Sequence, residues 1–407
     1  FHSACGQEFR DFNMTLPQDK ACNCDGGIAK SPDIIFSGQP ADDVCCGPSP
    51  GPRSSGLEKP GYMLCGFVTE FIETPAGPVP RVKRTLDRSD IRETVKVRMG
   101  LNRDQYRVTP GLYCIGRPDH TSPVLVSANY KLSFDALRRA LKRQHAWVLV
   151  LDTRGVNVWC AAGKGTLSTA EIVRQVQASR VEKVVSHRTL ILPQLSATGV
   201  AAHQVRKQCG FKVAWGPIRA ADIETYIKRG HKSDAAMRKV TFTLWERFVL
   251  VPVEITLHLK YLLWFLLIAF ALSGIGPGIF SFFQAWQRGW ISLAAGVAGI
   301  FAGVVVVPIL LPWLPGKPFS IKGTLPGFLT AMGIIFLYRQ MVGTLEAGAL
   351  ILFITATSSY LAMNFTGSTP FTSPSGVEKE MRMAIPAQAG AILLAAGLWI
   401  GAAFTVV

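Results

Sequence analysis

The last 148 residues of this chain almost lack charge. From Lys260 to Val407 there are 7 Lys+Arg and 3 Asp+Glu, against 36 and 24 in the residues before them. Such a stretch cannot supply the charged exterior of a water-soluble globule. The first thirty residues lack an apolar run and do not begin with Met, so a secretory signal peptide is not expected. Zinc-finger and ribonucleoprotein-type motifs are absent. The net charge of +16 is therefore not read as a nucleic-acid footprint; membrane proximity and anionic ligands account for it. A phosphate-binding P-loop is also absent, because Val158 and Gly165 stand where that motif needs Gly and Ser/Thr around Gly163-Lys164. With no export signal, the nine cysteines are expected in a reducing compartment, where thiols favour metal or redox chemistry over disulfides.

The uncharged half instead holds apolar runs long enough to cross a bilayer. Five spans are expected, at 257–279, 291–312, 324–341, 343–363 and 384–406, although Gly343 alone divides the third from the fourth and one bent hairpin is the alternative. Lys317, Lys322, Lys379 and Arg382 fall in one set of loops, and Arg288 and Arg339 in the other. That bias places the charged half on the cytoplasmic face of a cytoplasmic (inner) membrane. Ahead of the first span, Phe242, Trp245 and Phe248 recur every three residues beside Arg238, Lys239 and Arg247. The pattern suits a helix lying among headgroups, with a buried helix of the soluble half as the alternative. The pairs Gly299/Gly303 and Gly397/Gly401 are expected to let spans approach closely. Only Glu346 and His258 read as ionisable groups within the spans, which favours an anchor over a transporter.

Between about Tyr62 and Lys228 strand-like and helix-like runs alternate. Val124-Leu125-Val126 and Trp147-Val148-Leu149-Val150-Leu151 read as strands, and Ser133 opens a helical run from Phe134 to Arg143. Ser168 and Glu171 form a capping box for a helix from about Thr169 to Ser179. Val184-Val185 and Phe211-Lys212-Val213 supply later strands. This alternation predicts an α/β fold with a mostly parallel sheet, which binds ligands in loops beyond the strand C-termini. The chain divides into a Cys/Pro/Gly-rich arm at 1–60, an α/β domain at 61–232, an amphipathic interfacial linker at 233–256 and an all-α transmembrane domain of about five helices at 257–407. In the arm stand Cys22, Cys24, Cys45 and Cys46, a small local metal site or free thiols.

One loop beyond a predicted strand end reads Asn157-Val158-Trp159-Cys160-Ala161-Ala162-Gly163-Lys164. A lone Cys after a strand is most often packing, and Trp159 reads equally well as a core aromatic. The eight residues together are more specific. They resemble the signature of the mercury-methylating corrinoid protein family (HgcA). The wider region resembles the corrinoid-binding domain of the corrinoid iron–sulfur protein large subunit of the acetyl-CoA pathway. That second likeness is carried by Ala128-Asn129-Tyr130-Lys131-Leu132-Ser133-Phe134-Asp135, Leu192-Pro193-Gln194-Leu195 and Gly216-Pro217-Ile218.

The resemblance implies a Rossmann-like corrinoid-binding domain with Cys160 as the catalytic, lower axial ligand of the cobalt. By the same analogy Asn157, Val158, Trp159, Ala161, Gly163, Lys164, Gly165 and Thr166 touch the cofactor, with Gln194, Leu195 and Thr198 on the opposing loop. Asn157 hydrogen-bonds in the loop or to the cofactor's lower face; Lys164 and Thr166 meet its amide or phosphate groups. The implied reaction passes a methyl group from methyl-Co(III) to Hg(II), giving methylmercury. The implied partners are a methyltetrahydrofolate- or pterin-type methyl donor and a ferredoxin-like electron donor with two [4Fe–4S] clusters. The alternative is a membrane-anchored methyl carrier of acetyl-CoA-pathway one-carbon metabolism. The soluble relative's own iron–sulfur motif is not matched by the spacing of Cys22, Cys24, Cys45 and Cys46. His187, His203 and His231 lack the Asp-x-His-x-x-Gly pattern of corrinoid-ligating histidines and read as surface or hydrogen-bonded groups.

Overall fold

The computed structural model describes residues 66–101, 103, 106–366 and 374–405. The arm at 1–60, with Cys22, Cys24, Cys45 and Cys46, lies outside them. A seven-stranded sheet is built from β1 (Val68–Thr74), β2 (Gly77–Val82), β3 (Gly111–Ile115), β4 (Val124–Ala128), β5 (Ala146–Leu151), β6 (Thr189–Leu192) and β7 (Lys212–Trp215), in the order β1-β2-β3-β5-β4-β6-β7. Four of its six pairings are parallel; β1 against β2 and β3 against β5 are antiparallel. The result is a mixed α/β sheet, less uniform than the alternation predicts. Two antiparallel pairings enter at the β1–β3 side, where β1 and β2 join by a short turn and β3 opposes β5.

The helices of this part are α1 (Arg88–Arg98), α2 (Lys131–Ala140), α3 (Val158–Gly163), α4 (Thr169–Ser179), α5 (Val181–Val184), α6 (Ala202–Cys209) and α7 (Ile223–Lys228). The two-residue period of the buried strands sends alternate side chains to opposite faces. Leu149 and Leu151 join Ile172, Val176 and Val205 of α4 and α6 on one face, while Val148 and Val150 join Phe134, Leu137 and Tyr226 of α2 and α7 on the other. Three predicted elements shift. The helix after β4 starts at Lys131 rather than Phe134, with Tyr130 in the capping position but no side-chain capping bond to the helix, so Ser133 sits inside the first turn. Val184 closes the short helix α5, and the strand comes later, at Thr189. Only half of the Ser168–Glu171 capping box forms. Ser168 Oγ accepts from Glu171 N, but the Glu171 carboxylate serves Asp152 N–H and Arg174 instead.

α1 and α2 are joined by buried charge. Arg138, fully buried, donates from Nε to Asp135 at 2.8 Å and from Nη2 to Asp90 at 2.6 Å. Lys131 Nζ donates to both carboxylates, each at 2.8 Å. Burial pushes the Asp90 carboxyl up, and the hydrogen bonds and charges of Lys131 and Arg138 outweigh it, so its pKa is lowered.

The C-terminal region is helical. It comprises α8 (Leu244–Phe248), α9 (Val251–Ser273), a two-stranded hairpin of β8 (Ile275–Gly276) and β9 (Ile279–Phe280), α10 (Phe282–Phe301), a π-helical turn at Ala302–Val306, α11 (Val307–Leu310), α12 (Phe319–Leu337), α13 (Thr344–Met363) and α14 (Pro374–Ala402). Five helical stretches are long and apolar enough to cross a membrane: Leu244–Ser273, Phe282–Leu310, Phe319–Leu337, Thr344–Met363 and Ser375–Ala402. The third and fourth are two helices rather than one bent hairpin. All but the fourth begin earlier than the hydropathy pattern suggests, because helical hydrogen bonding carries on through flanking polar residues such as Glu254, Gln284 and Glu380. Arg288 therefore lies within α10 and not in a loop. It pairs with Glu346 at 2.9 Å, donates to Ser273 O and Trp399 O, and stacks over the Trp399 ring, tying α9, α10, α13 and α14 together. Glu254 is a further buried ionisable group beyond the two expected: it accepts from Asn364 Nδ2, which also contacts His258 Nε2.

Gly299 and Gly303 do mark a close approach. A Cβ at Gly303 would stand 2.7 Å from Leu361 Cβ and 2.9 Å from Ser358 O. Gly397 and Gly401 have open space instead, and the second tight contact is made by Gly323 and Gly327 of α12 against α13. At the end of the second span Pro308 lacks the N–H that would continue the ladder, and the π turn precedes it. Past it the helix ends at Leu310, and Arg247 donates to Pro308 O and Ile309 O, and Lys322 to Leu311 O and Leu314 O, so these C-terminal carbonyls are satisfied.

Replacing Arg138 with Leu strands Asp90 and Asp135 as buried carboxylates sharing only Lys131. Apparent unfolding stability is expected to drop by about 3 kcal/mol, read as a lowered thermal midpoint. A midpoint within a degree of the native value would show that the buried network does not hold α1 and α2 to the sheet.

Candidate functional site at the strand C-termini

From β4 the chain moves to β5 on one side and then to β6 and β7 on the other. Strand order reverses at β4, and in open α/β sheets that reversal opens a crevice beyond the strand C-termini. Three segments meet there: Asn129-Tyr130 after β4, Asp152–Gly163 after β5, and Pro193–Gly199 after β6.

Asn129 holds the first two together. It is buried, donates from Nδ2 to Asp152 Oδ1 at 3.1 Å, and its Oδ1 accepts from Thr153 N–H and Gly155 N–H at 3.1 and 2.9 Å, with Thr153 Oγ1 2.9 Å away. Arg154 and Gly155 both adopt left-handed backbone, with φ of 56° and 79°. That double reversal folds the loop back over β5, and Thr153 Oγ closes it on Val156 O at 2.6 Å. From the far side, Glu171 Oε1 accepts Asp152 N–H at 2.8 Å. Neither Asn129 nor Glu171 was among the candidate site residues. Their signal was present: an Asn directly after an apolar strand, and a capping-box Glu beside a loop rich in backbone donors.

The loop then enters α3, so the signature is a short helix and not an open loop. Asn157 is its N-cap: Oδ1 accepts Cys160 N–H at 3.0 Å, and Nδ2 donates to Cys160 Sγ at 3.5 Å. Helical periodicity sorts the signature into two faces. Ala161 and Ala162 are buried and Val158 packs against the core, while Trp159, Cys160 and Gly163 point away from it. Trp159 is 38% exposed, so it is not a core aromatic. Cys160 is half-buried. Burial raises its thiol pKa above the ordinary value; the Asn157 amide and the charges of Lys164 and Arg103 oppose that rise. Cys114, deep in the sheet, is pushed to about 11.

Gly163 and Gly165 have nothing within 4 Å of a Cβ position, and Gly165 sits at φ 70°. Lys164 caps the C-terminus of α3, and Thr166 Oγ donates to Ala161 O at 3.3 Å. Opposite α3, Gln194, Leu195 and Ser196 form a 3-10 turn. Gln194 Oε1 is buried without a hydrogen-bond partner, Leu195 is half-buried and Thr198 is exposed. Gly199 locks this turn to α3: a Cβ there would stand 2.4 Å from Leu167 O and 2.9 Å from Ala162 O. All the candidate site residues thus gather at one edge of the sheet. The histidines stand apart in role: His187 Nε2 bonds Ser122 O, His231 stacks on Tyr226, and His203 is exposed.

Comparison with known proteins covers this domain. Residues 82–227 match the family model described as CO dehydrogenase/acetyl-CoA synthase delta subunit. The α/β domain is related to the acetyl-CoA decarbonylase/synthase complex gamma subunits. That of Archaeoglobus fulgidus is 26% identical over 151 residues, covering 36% of this chain and 32% of the relative. The Methanopyrus kandleri subunit is 29% identical over 129 residues, 31% of this chain and 28% of its own length. That of Methanocaldococcus jannaschii is 34% identical over 93 residues, 22% of this chain and 19% of its own. The chain thus spans about a third or less of the length of these relatives. The five membrane-length helices lie outside the matched segment.

Two variants test this geometry. Asn129→Ala leaves the Gly155 N–H without its acceptor, costing about 1–3 kcal/mol, while Thr153 N–H and Oγ–H keep Leu151 O and Val156 O. Amide exchange at 152–157 is expected to quicken strongly while β5 stays protected; unchanged exchange would remove Asn129 as the clamp. Asn157→Ala removes a hydrogen bond that lowers the Cys160 thiol pKa, so the pKa rises further. The rate of Cys160 alkylation, followed by peptide mass, is expected to gain its pH dependence at higher pH than in the native chain. A shift to lower pH would contradict the assigned role of the amide.

Proposed function

We propose that the chain is a membrane-anchored corrinoid protein that carries a methyl group in one-carbon metabolism, with Cys160 as the lower axial ligand of the cobalt. The observation that carries this reading is the open face of α3. It presents a thiol, an exposed indole and the unobstructed Gly163, with Gly165 just beyond the helix, at the strand C-termini of a domain related to acetyl-CoA decarbonylase/synthase subunits.

A corrinoid is a broad ring, apolar on its faces and fringed with amides. The residues present fit it. Gly163 and Gly165 leave room for a flat ring, Trp159 offers an aromatic surface, and the orphaned Gln194 Oε1 can accept from a rim amide. Lys164, Thr166, Leu195 and Thr198 complete the rim, while Asn157, Val158 and Ala161 hold α3 in place beneath it. This is the Rossmann-like binding mode, in which a ligand sits across the switch of strand order. When bound, the corrinoid supplies a cobalt centre that takes up and gives up a methyl group.

The chain's own part is to prepare the sulfur. Ligation needs a thiolate, and burial disfavours it, so Cys160 must shed its proton as the metal arrives. Asn157 Nδ2–H, aimed at Sγ, and the Lys164 charge stabilise the anion. A thiolate is a soft, electron-rich donor, and Cys160 would offer it to the cobalt. We assign the methyl donor to the methyltetrahydrofolate or pterin class and the electron donor to a ferredoxin-like protein with two [4Fe–4S] clusters. The division into an arm (1–60), a binding domain (61–232), an interfacial linker (233–256) and a membrane anchor (257–407) goes with this reading, as does a cytoplasm-facing binding domain.

One observation favours a second acceptor. A cysteine thiol on the open face of α3, within the Asn157–Lys164 signature, suits delivery of the methyl group to a soft electrophile, and Hg(II) is then the substrate. The relatives favour the carbon-metabolism acceptor; the thiol favours Hg(II). Both readings share fold, cofactor and ligand.

The deciding assay supplies full-length protein with cobalamin, reduced ferredoxin and methyltetrahydrofolate, and offers either Hg(II) or an acetyl-CoA synthase as acceptor. The acceptor that becomes methylated fixes the reading. Cys160→Ala is expected to lose activity by at least about tenfold, on the scale of disturbed metal ligation. Bound corrinoid with neither acceptor methylated would sink the methyl-carrier function, and failure to bind corrinoid would sink the cofactor.

A further inference from the structure

Methyl carriage leaves the outer face of α1 without a role. The inner face is fixed. Asp87 and Asp90 cap the helix reciprocally, Asp90 is tied to Lys131 and Arg138, and Val97 is buried. The outer face is apolar: Ile91, Val95 and Met99 recur every four residues at 54%, 51% and 43% exposure, with Leu101 following at 51%. An apolar stripe of this regularity on a helix is ordinarily turned to a core; here it faces outward. Arg88, Arg92, Lys96 and Arg98 lie on the same helix, and Arg88 and Arg92 line a shallow recess with Ile91.

Two observations indicate what covers the stripe. Gly100, directly after α1, lies against the first turn of α9: a Cβ at Gly100 would stand 3.4 Å from Val253 Cγ2. α1 therefore ends where the first membrane-length stretch is already under way. Within that stretch, ahead of α9, α8 exposes Leu244, Trp245 and Phe248, with Trp245 stacked on Phe248 at 5.9 Å. Tryptophan with basic neighbours is the composition enriched at the membrane–water interface.

We propose that α1 is a second interfacial helix, lying beside α8 on an anionic leaflet. Ile91, Val95 and Met99 enter the boundary of the acyl chains, and Arg88, Arg92 and Lys96 meet anionic phospholipid headgroups. The proposal rests on the membrane-anchored reading and extends it. Lys131 and Arg138 bind α1 rigidly to α2, which follows directly from Asn129 and Tyr130 at the site. Contact of α1 with lipid thus sets the orientation of the whole binding crevice relative to the membrane.

The test uses full-length protein in lipid nanodiscs with p-benzoylphenylalanine placed at Val95 or, as a control, at the exposed Lys207 of α6. After irradiation, peptides are read by mass for lipid adducts. Position 95 is expected to give several-fold more phospholipid adduct than position 207 in phosphatidylglycerol discs, and less in phosphatidylcholine discs. Adding Arg88→Glu and Arg92→Glu, which leave Asp90, Lys131 and Arg138 untouched, is expected to cut the yield at 95. Equal yields at 95 and 207, or cross-links at 95 to protein alone, overturn the proposal while leaving the anchor intact. A chain that fails to enter discs at all removes the membrane reading beneath it.

Discussion

A single carboxamide organises the crevice. Asn129 directly follows β4 and is wholly enclosed, yet it answers two backbone donors and one carboxylate of the loop after β5. Without it, the Gly155 N–H in the left-handed pair Arg154-Gly155 would lose its acceptor, and the tie from Asp152 and Gly155 back to the end of β4 would be gone. With it, the start of α3 is fixed to the sheet, and the Cys160 thiol is fixed with α3. Glu171 supplies the opposing hold by giving up half of its expected cap on α4 to accept the Asp152 amide. The site's precision comes from these buried polar contacts, because a six-residue helix has little stability of its own.

The same economy recurs at larger scale. Asp90, Lys131, Asp135 and Arg138 form a closed set in which each carboxylate meets two cations, so charges that would be costly alone become a rigid joint between α1 and α2. In the helical region Arg288 plays the corresponding part, joining four helices through Glu346, Ser273 O and Trp399. Arg247 and Lys322 cap carbonyls that the end of the second span leaves free. Every one of these cations ends on an oxygen acceptor, as an apolar surrounding demands.

The chemistry asked of Cys160 follows from a balance. Burial raises the thiol pKa above its ordinary value, and the Asn157 amide and the Lys164 charge oppose that rise. A fully exposed thiol would lack the fixed geometry, and a deeply buried one such as Cys114 would lack access. α3 resolves this by periodicity alone, turning Val158, Ala161 and Ala162 inward and Trp159, Cys160 and Gly163 outward.

Much of this was legible in the residues. The fall in charge after residue 260 determined a membrane-length helical region, since no soluble fold can cover so much apolar chain, and five spans followed from length. The continuous apolar runs at 124–126 and 147–151 determined buried strands, and the Asn157–Lys164 signature marked the segment that folds as α3 and its caps. Tertiary structure decided what depends on distant partners. It moved the sixth strand from Val184-Val185 to Thr189–Leu192, because helix α5 hydrogen-bonds locally where sequence saw only β-branched residues. It turned Trp159 outward, assigned close helix contact to Gly323 and Gly327 rather than Gly397 and Gly401, and drew Arg288 into the bundle. Hydrophobic periodicity is a local quantity, readable along the chain; which buried polar group answers which donor is set only when segments far apart in sequence meet, and that meeting placed Asn129 over the loop that carries Cys160.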